Sequence, residues 1–320
     1  YRDGRDTAHV HVAYLPTPPS IGEMKSKPVQ NSVKQLISSG IQPDFLVARA
    51  EEKIDDRRKQ TLAWTTNIPV ENIIAAPNVD SIYEVPLNFD KEGLADKLLK
   101  QFGLAPKKRD VKNWTKLVGT ITSTRAQKDA LQIAVVGKYF ENGSFQLADV
   151  YVSVIEALKH ASWANKTKIK LNWISSIRVE KEGAAKVLTG YDGIVVPGGF
   201  GDRGSRGMMK AAEFARTRGV PFFGICYGFQ WAAVEYARNV CGLSEADSTE
   251  VVPDTPQNVI YKLRDLLGVD DLGGTMRLGS YACKLKPGSK SHALYGSDVI
   301  DERHRHRYEF NCLWEQALTD

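Results

Sequence analysis

Cysteine is scarce in this chain: Cys226, Cys241, Cys283 and Cys312 are the only four in 320 residues, at irregular intervals. That spacing argues against a disulfide framework, and no C-x-x-C pair is present to grip a metal ion. Long apolar runs are missing as well. No stretch reaches the length of a membrane span, and residues 1–20 lack the basic, apolar, small-residue order of a signal peptide. No membrane is implicated, and the cytoplasm is the expected compartment. Neither sign of charge dominates, because 43 Lys and Arg against 38 Asp and Glu leave a formal +5. Dense basic tracts, the footprint of nucleic-acid binders, are absent; the balance allows an anionic ligand, and phosphate-bearing small molecules are equally compatible. Internal repeats and low-complexity tracts are absent too. The first residue is Tyr1 rather than Met, which reads as a fragment whose beginning is missing.

What is present is alternation. At 42% hydrophobic and 25% charged, the chain can bury a large core and is long enough for two domains. The segment HVHVAYL alternates like a strand, 27–41 has helical spacing closing on Gly40, DFLVARA is a short buried strand, and 55–65 reads as a helix. NIIAAP is a further strand, and 91–102 reads as a helix ended by Gly103 and Pro106. Residues 1–104 therefore form the tail of one α/β domain, and the Lys-rich stretch 105–128 is a linker carrying one helix. A second domain, 129–320, alternates more cleanly. Strands at 131–137, 168–174, 193–197 and VPFFGI are separated by helices at 148–161, 180–189 and 205–218, with another helix over 229–240. Such βα units predict a parallel sheet flanked by helices, with ligands at the carboxyl ends of the strands. Two glycine-rich turns, PGGFG at 197–201 and GICYG at 224–228, fall at strand ends and should lie near each other.

The second turn carries a cysteine. Gly224-Ile225-Cys226-Tyr227-Gly228 has the G-x-C-x-G form of a nucleophile elbow, in which a sharp strand-to-helix turn lifts the nucleophile above the sheet edge. Placed at a helix N-terminus, Cys226 is expected to have a lowered thiol pKa. The N–H of Tyr227, with one from Gly198 or Gly199, would hold the oxyanion of a tetrahedral intermediate. Free cysteines are more often small buried hydrophobes, and that is the expectation for Cys241, Cys283 and Cys312. His9 and His11 share one face of a strand without further ligands, so no metal site is expected.

These residues carry a resemblance. G-x-C-x-G-x-Q from Gly224 to Gln230, with an upstream PGG, resembles the class I glutamine amidotransferases, which release ammonia from glutamine through a cysteine thioester. VPGGFGDRGSRGM, EYARNV, ADSTEVVPD, DLGGTMRLGSY and ERHRHRYEFN, in that order, look like the glutaminase domain of the CTP synthase family. GEMKSKPVQNSVKQLISSGIQPDFLVARA and NVDSIYEVPL resemble the end of that family's ammonia-ligase domain. The resemblance implies two α/β domains, the second flavodoxin-like and C-terminally truncated. It implies ATP-dependent amination of UTP to CTP, with ammonia from glutamine hydrolysed at Cys226. Gly199, Tyr227, Gly228, Phe229, Gln230, Glu250 and Arg307 would bind glutamine, Gly199 and Tyr227 also forming the oxyanion site. Lys25, Ser26, Lys27, Pro28, Val29 and Gln30 would contact UTP or CTP, and Pro77, Asn78 and Val79 would border ATP. The same resemblance implies Mg²⁺ with the ATP, GTP as an allosteric activator, and a homotetramer or filament.

Some positions depart from the family pattern. Tyr227 and Phe229 stand within what is usually GICLGMQ, where a tyrosine beside the nucleophile would narrow the pocket. Thr61 takes the place of a nucleotide-contacting lysine, and Val152 that of another lysine. The GGxxSxxGKG phosphate loop, the acidic Mg²⁺ ligands and the HPE motif of the glutaminase base are absent from these residues. His304 and His306 are not expected to replace that base, and the fragment is expected to be inactive alone. Two other readings stay open: a different cysteine hydrolase on the same elbow, and a non-catalytic nucleotide-binding or filament-forming paralogue.

Overall fold

Short runs of Val, Ile and Ala pair side by side into two separate parallel sheets, because strands buried on both faces need apolar residues at nearly every position. The computed structural model describes residues 7–106, 110–138, 141–142, 145–146, 151–263 and 276–319. The chain divides into two units, Tyr1–Ser123 and Thr124–Asp320. The first six residues, part of the linker, the start of the helix expected over 148–161 and the DLGGT segment lie outside the described residues.

In the first unit, β1 (Val10–Leu15), β2 (Phe45–Ala50) and β3 (Ile73–Pro77) form a parallel sheet in that order. Helix α1 (Lys27–Ser38) starts with proline in its first turn, where the missing N–H costs nothing. Helix α2 (Asp56–Thr66) is capped by the Asp55 carboxylate, which accepts from the Arg58 N–H. Leu15, Val29, Val33, Leu46, Leu62 and Ile73 close the core. A short helix α3 (Val85–Lys91) precedes α4 (Leu94–Gln101), which is the helix expected over 91–102. Gly93 at φ +68° breaks them apart, a backbone state that glycine adopts freely. Helix α5 (Lys112–Arg125) occupies the stretch read as a linker. The His9 and His11 rings stack with centroids 6.3 Å apart, and His11 bonds the Ser32 hydroxyl at 2.8 Å, a structural arrangement.

The second unit opens with β4 (Leu131–Gly137), followed by two-residue strands β5 (Glu141–Asn142) and β6 (Phe145–Gln146). Then come α6 (Val152–Ala164), β7 (Ile169–Ser175), α7 (Ser176–Glu182), α8 (Ala184–Leu188), β8 (Gly193–Val196), α9 (Ser205–Arg218), β9 (Phe222–Gly224) and α10 (Tyr227–Asn239). The helix expected at 180–189 is split at Gly183, φ +90°. The sheet order β7-β4-β8-β9 is parallel throughout, and the chain reverses its direction of growth between β4 and β8. In an open sheet that reversal leaves a crevice at the carboxyl ends of the two strands.

Beyond the alternating layer lie elements that periodicity did not reveal. Strands β10 (Ala246–Ser248) and β11 (Gln257–Lys262) precede a long hairpin, β12 (Arg277–Lys284) and β13 (Val299–His306), with α11 (Lys290–Tyr295) between its strands. Then follow β14 (Tyr308–Phe310) and α12 (Glu315–Thr319), and β10-β11-β14 make a small mixed sheet. Among the described residues no helix is long and apolar enough to cross a membrane.

Buried ion pairs tie these layers. Arg216 on α9 meets the buried Glu235 of α10 at 2.6 Å, and buried Asp247 of β10 receives Arg206 from α9 at 3.0 Å and Arg238 from α10 at 2.6 Å. The latter pairs fix the strand that leads into Glu250. The reading of Cys241, Cys283 and Cys312 as buried hydrophobes is corrected: Cys312 is exposed and the other two are half-buried. The physical reason is local. Cys283 sits on a two-stranded hairpin, Cys241 just past the end of α10, and Cys312 at the start of a surface turn.

Helix α9 approaches α7 so closely that a Cβ on Gly207 would fall 1.8 Å from the Ser176 carbonyl oxygen, a backbone atom that cannot step aside cheaply. Gly207→Ala is therefore expected to lower stability by about 3 kcal/mol. Urea unfolding checks it, and an unchanged midpoint would contradict this packing.

Candidate active site

The elbow is built by hydrogen bonds and by close backbone contact. Ile225 N–H donates to the Val196 carbonyl at 2.9 Å, so the chain leaving β9 still tracks β8, and Gly228 N–H then donates to Ile225 O at 3.0 Å to start α10. A Cβ on Gly228 would lie 2.0 Å from Val196 O, and one on Gly224 would lie 2.7 Å from the Gly228 backbone. Both glycines are thus required by contact. Cys226, at the N-cap of α10, adopts φ +52° and ψ −107°, a backbone state that costs a non-glycine residue about 1–3 kcal/mol.

The two glycine turns meet. A Cβ on Gly198 would lie 3.7 Å from the Cys226 Cβ, which places the diglycine bend directly against the cysteine. The Tyr227 N–H points at the sulfur and favours the thiolate, as the elbow reading anticipates. The net effect is the reverse of the sequence expectation. Burial of the thiol pushes its pKa up and outweighs that N–H, and the negative charge of Glu250 pushes the same way. Cys226 is open to solvent at its rim yet sheltered by the surrounding turns. It is a neutral thiol near neutral pH and needs a base to become a nucleophile.

Glu250 comes from the end of β10. Its Oε1 accepts from the Gly201 N–H at 2.7 Å, and burial raises its pKa against the opposing pull of that N–H, Lys138 and Arg307. Arg307, in the link between β13 and β14, thus lies within electrostatic reach of Glu250. It also lines a cleft of about 660 Å³ with Arg303, His304 and Arg305. The same link reaches the elbow: the Cys226 thiol faces the Arg305 carbonyl at 4.0 Å, and Gln230 Nε2 donates to Tyr308 O at 3.0 Å. Cys226, Glu250 and Arg307 therefore belong to one cluster. Gly199 is buried in the turn beside it, Gly228 and Gln230 are buried in the first turn of α10, and Phe229 is about half exposed.

Tyr227 requires a correction. Its ring is 1% exposed, so it narrows no pocket. It packs edge-on against Trp231 with centroids 5.8 Å apart, and its hydroxyl donates to Gly201 O at 2.5 Å. His306 keeps both ring nitrogens occupied, Nε2 with Nδ1 of His304 at 2.9 Å and Nδ1 with Tyr308 O at 3.0 Å, which leaves it no free nitrogen to act as a base at Cys226.

Lys138 is a residue that sequence reasoning missed. It follows β4 directly and is 5% exposed, and its ammonium donates to the carbonyls of Phe200 and, at 2.7 Å, Gly201. The available signal was a lysine immediately after the Gly137 that ends a strand whose last four residues are buried.

The residues expected to contact nucleotide lie in the first unit, at the carboxyl edge of its sheet. Lys25 N–H bonds Pro16 O just past β1, Lys25 pairs with Glu23 at 2.7 Å, and Lys27 opens α1. Gln30 Nε2 reaches the Ser26 hydroxyl at 3.1 Å, while Pro28 is exposed. Val29 is wholly buried, so its side chain packs in the core. Pro77 ends β3, Asn78 N–H bonds Ala50 O at 2.9 Å, and the Asn78 side chain accepts from Arg49 at 3.0 Å, with Val79 next in the chain. Thr61 turns its hydroxyl back to Arg57 O within α2, and Val152 is exposed at the start of α6.

The charge arrangement has a measurable consequence. Because the Glu250 carboxylate raises the Cys226 pKa, Glu250→Gln is expected to shift the pH profile of Cys226 alkylation by iodoacetamide to lower pH. A profile that stays put or moves up would contradict the coupling.

Comparison with known proteins agrees with this arrangement. The family model described as CTP synthase N-terminus matches residues 2–104, and that described as Glutamine amidotransferase class-I matches residues 146–319. CTP synthase of Thermococcus gammatolerans is 47% identical over 317 residues, covering 99% of this chain and 58% of its own length. CTP synthase of Microcystis aeruginosa is 48% identical over 315 residues, covering 98% of this chain and 56% of its own. The chain thus spans somewhat over half the length of these relatives. A solved structure of the glutaminase domain of Trypanosoma brucei CTPS with bound acivicin superposes with a TM-score of 0.53 at 34% identity, over 59% of this chain and 71% of that one. With both family models laid in order along it, the chain belongs to the CTP synthase family and carries a class I glutamine amidotransferase domain.

Proposed function

We propose that this chain carries the glutaminase centre, and part of the nucleotide-binding half, of an enzyme that aminates UTP to CTP with ATP and with ammonia drawn from glutamine. The observation that supports the reading best is the meeting of the two glycine turns: the strained Cys226 stands against Gly198, with the Tyr227 N–H at its sulfur. In this reading the Cys226 sulfur attacks the side-chain amide carbon of glutamine. The oxygen becomes an oxyanion, which Tyr227 N–H and Gly199 N–H receive. Collapse of the adduct expels ammonia and leaves a γ-glutamyl thioester, which water hydrolyses to glutamate and the free thiol. Glu250 and Arg307 present opposite charges to the amino and carboxylate groups of the free amino acid, with Gly228, Phe229 and Gln230 lining the site.

A proton acceptor is needed to ionise so sheltered a thiol. Family resemblance assigns it to a histidine of an HPE motif, which these 320 residues do not contain. The fragment alone is therefore read as inactive. In the first unit, Lys25 and Lys27 at the start of α1 suit nucleotide phosphate, Ser26, Pro28 and Gln30 would complete the UTP contacts, and Pro77 to Val79 would border ATP. Mg²⁺ would accompany the ATP. Among the described residues there is no group of three or more His, Cys, Asp or Glu that could hold a metal ion. GTP activation, a homotetramer or filament, and a cytoplasmic location belong to the same reading and rest on family resemblance.

The test is Cys226→Ala in the protein expressed from its full reading frame. Glutamine-dependent CTP formation is expected to fall by about 10³-fold or more while ammonia-dependent formation persists. Glutamine turnover at the original rate in that variant would overturn the assignment.

A further inference from the structure

Lys138 has no role in the scheme above, yet it is buried against the centre of the site. We propose that Lys138 is a positioning residue for glutamine hydrolysis: its ammonium and the Glu250 carboxylate grip the Phe200–Gly201 peptide from opposite ends and hold the diglycine turn facing Cys226. The proposal rests on the glutaminase reading just given.

The argument starts from one rigid plane. In a trans peptide the carbonyl and the N–H point in opposite directions, so anything bound to both prevents the plane from turning. The Phe200 carbonyl accepts from Lys138 Nζ, and the Gly201 N–H of the same peptide donates to Glu250 Oε1 at 2.7 Å. A cation stands at the carbonyl end and an anion at the N–H end, which is the sense the peptide dipole favours. The next carbonyl, Gly201 O, accepts from Lys138 Nζ at 2.7 Å and from the Tyr227 hydroxyl at 2.5 Å. Lys138 Nζ also lies 4.9 Å from the centre of the Tyr227 ring. One ammonium thereby joins the turn to the residue whose N–H meets the sulfur and to the carboxylate assigned to the substrate's amino group.

An external clamp is needed here because the turn has little stiffness of its own. Gly198, Gly199 and Gly201 lack side chains, and Gly201 sits at φ +67°. Glycine-rich backbone holds one orientation only when neighbours impose it.

The charge on Lys138 is poised to change. Burial lowers its pKa to about 8; Glu250 from the end of β10 opposes that, Arg203 reinforces it and Asp202 opposes it, both from the turn before α9. Among the described residues the Tyr227 ring and hydroxyl on α10 also face it, as does the Tyr151 hydroxyl, which accepts from the Lys138 N–H at 3.4 Å. A neutral amine still donates hydrogen bonds but loses the charge assistance that makes them strong. The clamp is therefore firm below that pKa and loosens as pH rises through it.

The experiment uses the protein expressed from its full reading frame, as wild type, Lys138→Met and Lys138→Arg. Two probes are applied to Cys226 and read by mass spectrometry: a diazo-ketone analogue of glutamine, which needs the substrate site, and iodoacetamide, which does not. Normalised to iodoacetamide, the analogue is expected to label Lys138→Met about 100-fold more slowly than wild type, with Lys138→Arg recovering part of the loss. The wild-type advantage over Lys138→Met is expected to shrink as pH rises through about 8. Equal normalised rates in wild type and Lys138→Met, or an advantage flat in pH, would overturn the positioning role and leave the glutaminase reading standing. Failure of the analogue to label Cys226 in wild type would sink the glutaminase reading and this inference with it.

Discussion

The second unit depends on one close contact, the first turn of α10 lying against the end of β8. A Cβ on Gly228 would meet the Val196 carbonyl at 2.0 Å, so only glycine lets the helix sit this deep. The depth has two consequences. It forces the chain to turn within one residue, which puts Cys226 at φ +52°, and it buries Tyr227 and Trp231 on the inward face of the helix. Strain at the cysteine, of about 1–3 kcal/mol, is offset by the burial of Tyr227, the next residue, and of Trp231 further along the helix. The same contact thus creates the reactive position and stabilises it.

Charge is concentrated where the sheet changes direction. Lys138 follows β4, the diglycine turn follows β8, and Glu250 follows β10, which buried Asp247 anchors to Arg206 and Arg238. Burial acts on each titratable member against its charge: the Lys138 pKa falls, and those of Glu250 and Cys226 rise. The centre therefore keeps its ions through one another and through main-chain partners. Such an arrangement suits chemistry in which a negative charge appears briefly and must find donors already in place.

The first unit shows the contrast between scaffold and contact. Val29 and Ser26 lie three residues apart at the start of α1, yet Val29 is a core residue and Ser26 is half exposed. A motif copied as a block mixes the residues that build a surface with those that present it. The helix split at Gly183 shows a similar limit, because apolar spacing continues across a glycine whose positive φ interrupts the helix.

The order of the alternating strands and helices as far as α10 was legible in the amino acids, as were the two glycine turns at strand ends and Cys226 between glycines, all local patterns that follow from the periods of strand and helix. So was membership of a family, since long motifs survive in order. What only the tertiary structure decided depends on neighbours distant in the chain. The rise of the thiol pKa comes first from burial among the enclosing turns and then from Glu250, 24 positions away, where a local argument from the helix terminus pointed downward. The inward turn of Tyr227 and the burial of Lys138 beneath Phe200 and Gly201 were equally invisible, because desolvation and hydrogen-bond partners are properties of the packed molecule and not of any segment of it.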